Sequence, residues 1–281
     1  MMRDAWREYY TNSDIEKIHR IELELLNEFR SICDKLDISF FLYGGSMLGA
    51  IKYGGFVPWD DDLDVAMMRS DYNKLIKYGP SLLSPKYEFQ HPVLTPKSPY
   101  PYLKLRKNGT KMVEYVYRNL RINHGVYFDI YPIDNISDSD DEIEAERVEL
   151  LKYIKILQKK QTYSLNAPPE TIMDYIHIVY NFMLFVFLKL VPTKLIMRLI
   201  DSVMTRHNDE RTKRQGNLFF PKPVNYFNEI FPLIKVRFES MDINIPQGYQ
   251  INLFNRYGDI SVLPPASKRV GHKPYILDLG N

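Results

Sequence analysis

The chain has 281 residues, 45% of them hydrophobic, enough for a large domain with a substantial core and too many for wholesale disorder. Lys plus Arg total 37 against 35 Asp plus Glu, a net of +2, which argues against a strongly electrostatic nucleic-acid binder. A single cysteine, Cys33, excludes an internal disulfide and a cysteine zinc site; it reads as a small core residue of a cytoplasmic protein.

Met1 to Tyr10 is polar and aromatic, with no apolar stretch of the secretory kind. Ser13 and Glu16 stand at capping-box spacing. Ile15, Ile18, Leu25, Phe29, Ile32 and Leu36 then recur at steps of three and four, which predicts an amphipathic helix over 14–36, with Glu22 the one acid on its apolar face. Ile38–Tyr43 reads as a buried strand, Ser46–Tyr53 as a short helix stopped by Gly54-Gly55, and Asp60–Met67 as a second strand. Ser70 is the expected cap of a helix ending before Gly79-Pro80. Strands are expected at 87–91, 102–106 and 126–133, with a hairpin turn at Asn108-Gly109.

Beyond Ser139 the pattern becomes helical. Residues 140–163 predict one long helix with an acidic first turn, and Pro168-Pro169 a break. Tyr175–Val191 is apolar but interrupted by His177, Asn181 and Lys189, short of the ~20 apolar residues of a spanning helix. It reads equally as a buried helix or as one lying at a membrane interface. A helix over 193–207, short strands over 219–238, a helix over 247–257 and an irregular tail complete the chain. The expected organisation is a mixed α/β core over 1–135, a helical region over 136–215 in contact with a membrane or an acceptor, and a segment, 216–281, that packs back on the core.

The informative residues are Gly44-Gly45-Ser46 and the run Asp60-Asp61-Asp62-Leu63-Asp64. On a strand Asp62 and Asp64 share a face, with Leu63 and Val65 opposite. Two carboxylates side by side on a half-buried strand repel unless a cation sits between them, and hard oxygen ligands suit Mg²⁺ or Mn²⁺. A solvated acidic turn is the plainer alternative, weakened by the apolar flanks. A strand running through Gly44 and Gly45 into a helix at Ser46 offers free backbone N–H groups to a phosphate. Asp129, among Val126, Phe128, Ile130 and Ile133, either faces a site or lies on an exposed strand face. Asp134 reads as a cap or turn residue. Lys104 and Arg106 share a strand face and either neutralise a diphosphate or form an edge-strand charge pair. Lys52, near the end of the short helix, is a further phosphate candidate. His124 reads as structural.

The segment LYGGSMLGAIKYGGFVPWDDDLDVAM (42–67) closely resembles the LicD family, bacterial phosphocholine transferases related to the animal fukutin-type ribitol-phosphate transferases. The resemblance continues in GVYFDIYPID (125–134) and in RYGDISVLPPASKR (256–269) with His272. It implies an α/β (α+β) nucleotidyltransferase-like mixed sheet flanked by helices, with an added helical region. It also implies that Asp62 and Asp64 bind a catalytic metal and that Asp129 supplies the third acid. The zinc-binding insertion of the animal relatives is absent here. Tyr257, Asp259, Lys268, Arg269 and His272 fall in the family-like tail and are expected at the site; His272 reads as a general base or as a surface histidine.

The implied reaction moves phosphocholine, or ribitol or glycerol phosphate, from a CDP-alcohol onto a glycan or glycolipid acceptor, releasing CMP. The membrane contact would then be peripheral, on the cytoplasmic face. Two alternatives stand beside it: a nucleotidyltransferase that releases pyrophosphate, and a non-catalytic glycan-assembly protein.

Overall fold

The computed structural model describes residues 10–163, 171–221 and 225–265, and in the tail 267, 269, 271–272 and 274–280. Met1 to Arg7, Glu8 and Tyr9, the Pro168-Pro169 break and Lys268 lie outside these residues.

The first helix, α1, spans Asn12–Leu36. Its cap is Thr11 rather than Ser13: the Asp14 amide donates to Thr11 Oγ1 at 3.1 Å, and the Asp14 carboxylate accepts from the Thr11 amide at 2.9 Å. The reciprocal pair satisfies two of the orphan amides of the first turn. Ile18, Leu25, Leu26, Phe29 and Ile32 form the buried stripe, and Cys33 belongs to the same core. Phe29 meets Phe40 edge-on at 4.8 Å and Phe128 at 5.3 Å, joining α1 to the sheet.

The sheet contains β1 (Phe41–Leu42), β2 (Asp64–Met68), β3 (Tyr87–Gln90), β4 (Leu103–Lys107) and β6 (Tyr127–Ile136), in the order β1-β2-β6-β4-β3. Strand β2 runs parallel to β6, whereas β4 runs antiparallel to it. The sheet is therefore mixed and its central strand is β6. The latter is buried on both faces, which its continuous apolar and aromatic run permits. Its far end pairs with β7 (Arg214–Gly216), which in turn pairs with β8 (Asn225–Tyr226).

Several local expectations are corrected. Strand β1 is two residues long, because Ile38 and Phe40 are buried by packing without pairing. Strand β2 starts at Asp64, so Asp60 to Leu63 approach it as irregular chain and strand alternation does not place Asp62. The helix after it, α3 (Arg69–Tyr78), begins before Ser70, with Met68 at the cap. Asn108-Gly109 is a turn but closes no hairpin: β5 (Lys111–Val113) pairs with β11 (Ile276–Asp278) from the tail, not with β4. Asp134 is no turn residue. It lies within β6, 2% exposed, and its two carboxylate oxygens accept from Arg69 Nε at 2.7 Å and Nη2 at 2.5 Å.

The short helix α2 spans Gly44–Tyr53 and starts two residues earlier than its apolar pattern suggests. At Gly49 an added Cβ would stand 2.4 Å from the Gly55 carbonyl oxygen and 2.9 Å from the Val57 amide nitrogen. Both are backbone atoms that cannot swing aside. Gly49→Ala is therefore expected to lower stability by roughly 1–3 kcal/mol, read as a lower urea midpoint.

The helical region comprises α4 (Asp140–Gln161), α5 (Ile172–Leu190) and α6 (Thr193–Met204). Helices α4 and α6 share a core of Ile143, Leu150, Leu157, Ile196 and Ile200. Beyond α6, His207 bridges Glu146 (Nε2 to Oε1, 2.9 Å) and Glu210 (Nδ1 to Oε2, 2.8 Å). Burial alone would push the His207 pKa down, but the hydrogen bonds to Glu210 and Glu146 outweigh it and raise it. A raised folded value stabilises fully below the ordinary histidine range, and that stability is lost as pH rises through the folded value. The urea-midpoint difference between wild type and His207→Gln is thus expected to shrink as pH rises from about 6 upward.

Helix α5 is not a core helix. Ile172, Met183, Phe187 and Leu190 are exposed, and only 6% of its apolar window is buried, so the buried alternative is overturned. Among the described residues it is the one helix long and apolar enough to cross a membrane by length and composition, with a mean hydropathy of 1.4.

In the last segment, α7 (Phe227–Ile230) leads to the hairpin β9 (Leu233–Phe238) and β10 (Met241–Pro246), and α8 (Tyr249–Tyr257) follows. Phe238, Ile243, Ile245 and Leu253 are buried in the same core as α1 and the sheet.

Candidate active site

Strand register builds the centre of the site. Asp64 of β2 is paired with Asp129 of β6, and Asp129 with Lys104 of β4, so three chemistry-bearing residues form one row across three neighbouring strands. Lys104 Nζ donates to Asp129 Oδ1 at 2.6 Å, and the Tyr131 hydroxyl donates to Oδ2 at 3.1 Å. The ammonium also lies 3.6 Å from the ring centre of Tyr127 and 4.4 Å from that of Tyr100. Burial pushes the Lys104 pKa down, against the pull of Asp129.

Asp62, Asp64, Lys104 and Asp129 open on a cavity of about 630 Å³ walled by Tyr100, Tyr102, Tyr115, Tyr127 and Tyr131. Burial, then Asp129 and Asp60, holds the Asp64 pKa up at about 8. Burial, then Asp64 and Asp60, holds Asp62 well above the usual carboxylate range. Behind the acids sits Glu22, the polar residue on the buried stripe of α1. Among the described residues its carboxylate has no hydrogen-bond partner, and burial with the four neighbouring aspartates raises its pKa well above normal.

The N-terminus of α2 abuts the same acids. Gly44 has φ +54°, and a Cβ there would meet Arg256 Nη1 at 2.9 Å and Asp64 Oδ2 at 3.1 Å; at Gly45 it would meet Asp60 Oδ2 at 2.8 Å. The two glycines thus permit both a left-handed turn and a close approach of carboxylates to backbone. Ser46 has a different role from the one its sequence position suggests: its Oγ accepts from the Asp64 amide at 2.7 Å and fixes the start of β2.

The tail completes the wall. His272 lines the cavity, with Nδ1 3.0 Å from Asp61 Oδ1 and 3.7 Å from Asp62 Oδ2. The hydrogen bond to Asp61, opposed by burial and helped by Asp62, raises its pKa to about 10. An imidazolium cannot accept a proton, so at neutral pH His272 serves as a cation beside the acids. Arg256 of α8, which the sequence reading passed over, stacks 4.6 Å over Tyr43 and donates to its hydroxyl at 3.1 Å.

The remaining candidates divide. Gly45, Lys52, Tyr257 and Asp259 line a second cavity of about 430 Å³, with Trp59 and Asp60. There Lys52 Nζ donates to the Ile260 carbonyl. Arg269 Nε donates to the Pro264 carbonyl at 2.8 Å and its guanidinium lies 5.5 Å over Trp59. Arg106 does not line the acidic cavity. It is 1% exposed, donating to Gln90 Oε1 and to the Gly125 carbonyl, each at 2.8 Å. His124 Nε2 donates to the Leu120 carbonyl at 2.9 Å.

The donor set suits a hard divalent cation. Asp64 and Asp60 raise the proton affinity of Asp62, and Asp129 and Asp60 that of Asp64, the imbalance such a cation relieves. Asp129 has both oxygens engaged by Lys104 and Tyr131, and among the described residues no three acid, histidine or cysteine side chains are gathered as a ready metal cage.

The sequence profile described as LicD/FKTN/FKRP, nucleotidyltransferase domain, matches residues 37–148. These residues are similar to a LicD-family nucleotidyltransferase domain. Strands β1 to β6 and all three acids of the row and its approach lie within it. The chain is 44% identical over 54 residues to the lipopolysaccharide cholinephosphotransferase LicD of Haemophilus influenzae, covering 19% of this chain and 20% of that protein. It is 28% identical over 99 residues to an uncharacterized protein of Rickettsia typhi, 32% of each chain. With an uncharacterized protein of Rickettsia prowazekii it shares 30% identity over 79 residues, 25% of this chain and 29% of that one. The chain thus spans between a fifth and a third of these relatives. Arg256 and His272 come to the matched segment from outside its boundaries.

Proposed function

We propose that this chain is a metal-dependent transferase that moves phosphocholine, or a similar phosphorylated alcohol, from a CDP-linked donor to a hydroxyl of a glycan or its lipid-linked precursor. The observation that carries this reading is the row Asp64–Asp129–Lys104, beside the glycine-bounded start of α2, inside a tyrosine-walled cavity.

Asp62 and Asp64, with Asp129 as the third acid, would hold Mg²⁺ or Mn²⁺, which supplies Lewis-acid neutralisation of the donor diphosphate. The chain's own groups do the rest. The Gly45 backbone N–H and the Arg256 guanidinium bind diphosphate oxygens, the Ser46 amide being taken by the Tyr43 carbonyl. The tyrosine walls suit a cationic head such as choline, whose charge is attracted to ring faces. Lys104 and Tyr131 orient Asp129 to receive the acceptor's hydroxyl proton. A new bond forms between the acceptor oxygen and the phosphorus bearing the alcohol. The bond from that phosphorus to the bridging oxygen breaks, and CMP leaves with the bridging oxygen.

The test is product analysis with CDP-choline, CDP-ribitol and CDP-glycerol, a glycolipid extract as acceptor, and Mg²⁺. CMP is expected from one donor, abolished by EDTA and restored by Mg²⁺ or Mn²⁺. Pyrophosphate as product would replace this reading with nucleotidyl transfer. Absence of donor binding would replace it with a non-catalytic role in glycan assembly.

A further inference from the structure

We infer that α5 lies in the plane of an anionic lipid bilayer, and that the mouth of the acidic cavity is held against that bilayer. The first observation is the distribution of residues around α5. Ile172, Ile176, Val179, Met183, Phe187 and Leu190 are all exposed and, at 100° per residue, share one broad side. His177 and Asn181 fall on the opposite side, with half-buried Ile178, Phe185 and buried Leu188. That is the division of an interfacial helix: one side wholly apolar and exposed, the other carrying exposed His177 and Asn181 beside the few residues that pack on the protein.

The second observation is charge. Helix α6 continues the surface with an exposed stripe of Lys194, Leu195, Arg198 and Leu199, and Lys189 is exposed at the end of α5. Long basic side chains beside exposed leucines can bury their stems and reach anionic headgroups. A symmetric contact with a second copy would set the same basic stripe against itself, which repels.

The third is topology. Helices α4 and α6 pack on each other, so the two ends of the excursion, Gln161 and Thr193, lie on one side. A spanning α5 would leave its N-terminus across the bilayer, reached through only the eight residues between Thr162 and Thr171. So short a segment leaves no room for a second spanning helix of about 20 residues to return the chain, so α5 lies flat.

The link to the site is direct. Val116 lines the acidic cavity, and its carbonyl accepts from Thr162 Oγ1 at 3.3 Å. The next residue, Tyr163, donates to the Ile178 carbonyl at 3.1 Å and packs its ring 5.5 Å from Phe182 of α5. A bilayer under α5 therefore borders the cavity mouth at Val116. Resting on the transfer reading above, this makes the acceptor a lipid-anchored glycan that enters from the membrane.

The experiment uses the full chain and vesicles of phosphatidylcholine with and without phosphatidylglycerol. Flotation is expected to show binding to the anionic vesicles. Val179→Glu/Met183→Glu and Lys194→Glu/Arg198→Glu should each reduce it about tenfold or more. Both pairs are solvent-exposed, so circular dichroism should stay unchanged. A dye on Val116→Cys, with Cys33 buried and unreactive, should shift to the blue on vesicle binding. Wild type left unbound by all vesicles, or eluting as a dimer that Val179→Glu/Met183→Glu dissolves, overturns the inference. A dye unmoved in vesicle-bound protein overturns the placement of the mouth. No donor is present in these assays, so failure of the transfer reading would appear only in the CMP assay.

Discussion

Asp62→Asn and Asp64→Asn are each expected to lower CMP release by on the order of a thousandfold, the scale seen when a preorganised charge-stabilising group is removed. The same variants are expected to be more stable than the parent without metal. In the folded chain, burial and then Asp129 and Asp60 hold the Asp64 carboxyl at about 8, above its ordinary value. For a raised acid the stability it contributes is present at low pH and is lost as pH climbs from the unfolded to the folded value. At neutral pH the carboxylate, ionised in the unfolded chain, must take up a proton to fold, which opposes folding, and the uncharged amide of similar shape removes that cost. Thermal melts in EDTA at neutral pH should place Asp64→Asn above wild type. Adding Mg²⁺ should invert the order, because ligand binding stabilises only the chain that retains its carboxylates. Near-normal turnover in either variant would remove Asp62 or Asp64 from the chemistry.

Asp134→Ala should produce the largest loss of stability, roughly 3–5 kcal/mol, because it leaves the Arg69 guanidinium charged and without its bidentate partner. Arg69 is 13% exposed and its partner 2%, so water cannot replace the lost bonds. The carboxylate also accepts from Asn208 Nδ2 at 2.7 Å, so its removal loosens the chain just after α6 as well as the start of α3. The double variant Arg69→Met/Asp134→Leu should recover much of the loss, since an apolar pair of similar volume needs no partner. Urea unfolding of the single and double variants decides this; equal losses in both would mean that packing, not charge, holds the junction.

Much of the fold was legible because local patterns and tertiary packing agree. The three- and four-residue spacing of Ile18, Leu25, Phe29 and Ile32 matches the buried face of α1, and the acid-led run after Ser139 matches α4. Where local signals compete, the packing decided. Ser13 and Thr11 are both good caps, and only the exit of the chain selects Thr11. Asn108-Gly109 is a sound turn, yet the neighbouring strand β5 found its partner in the tail. The apolar run of α5 was equally compatible with core and membrane, since hydropathy does not say what will cover a helix.

By itself the sequence determined the chemistry available. Gly44-Gly45-Ser46 and the acids at 62, 64 and 129 stand in short segments whose spacing and family resemblance are written in adjacent residues. The tertiary structure alone decided what surrounds them. Register between strands separated by 25 and 65 residues places Lys104, Asp129 and Asp64 in one row. A contact 211 residues long in sequence sets His272 on Asp61 and makes it a cation. Arg106, alternating with the same neighbours as Lys104, is drawn away to Gln90 and Gly125. The physical reason is that electrostatics and burial depend on distance in space, which strand pairing and chain return set and which no local pattern records.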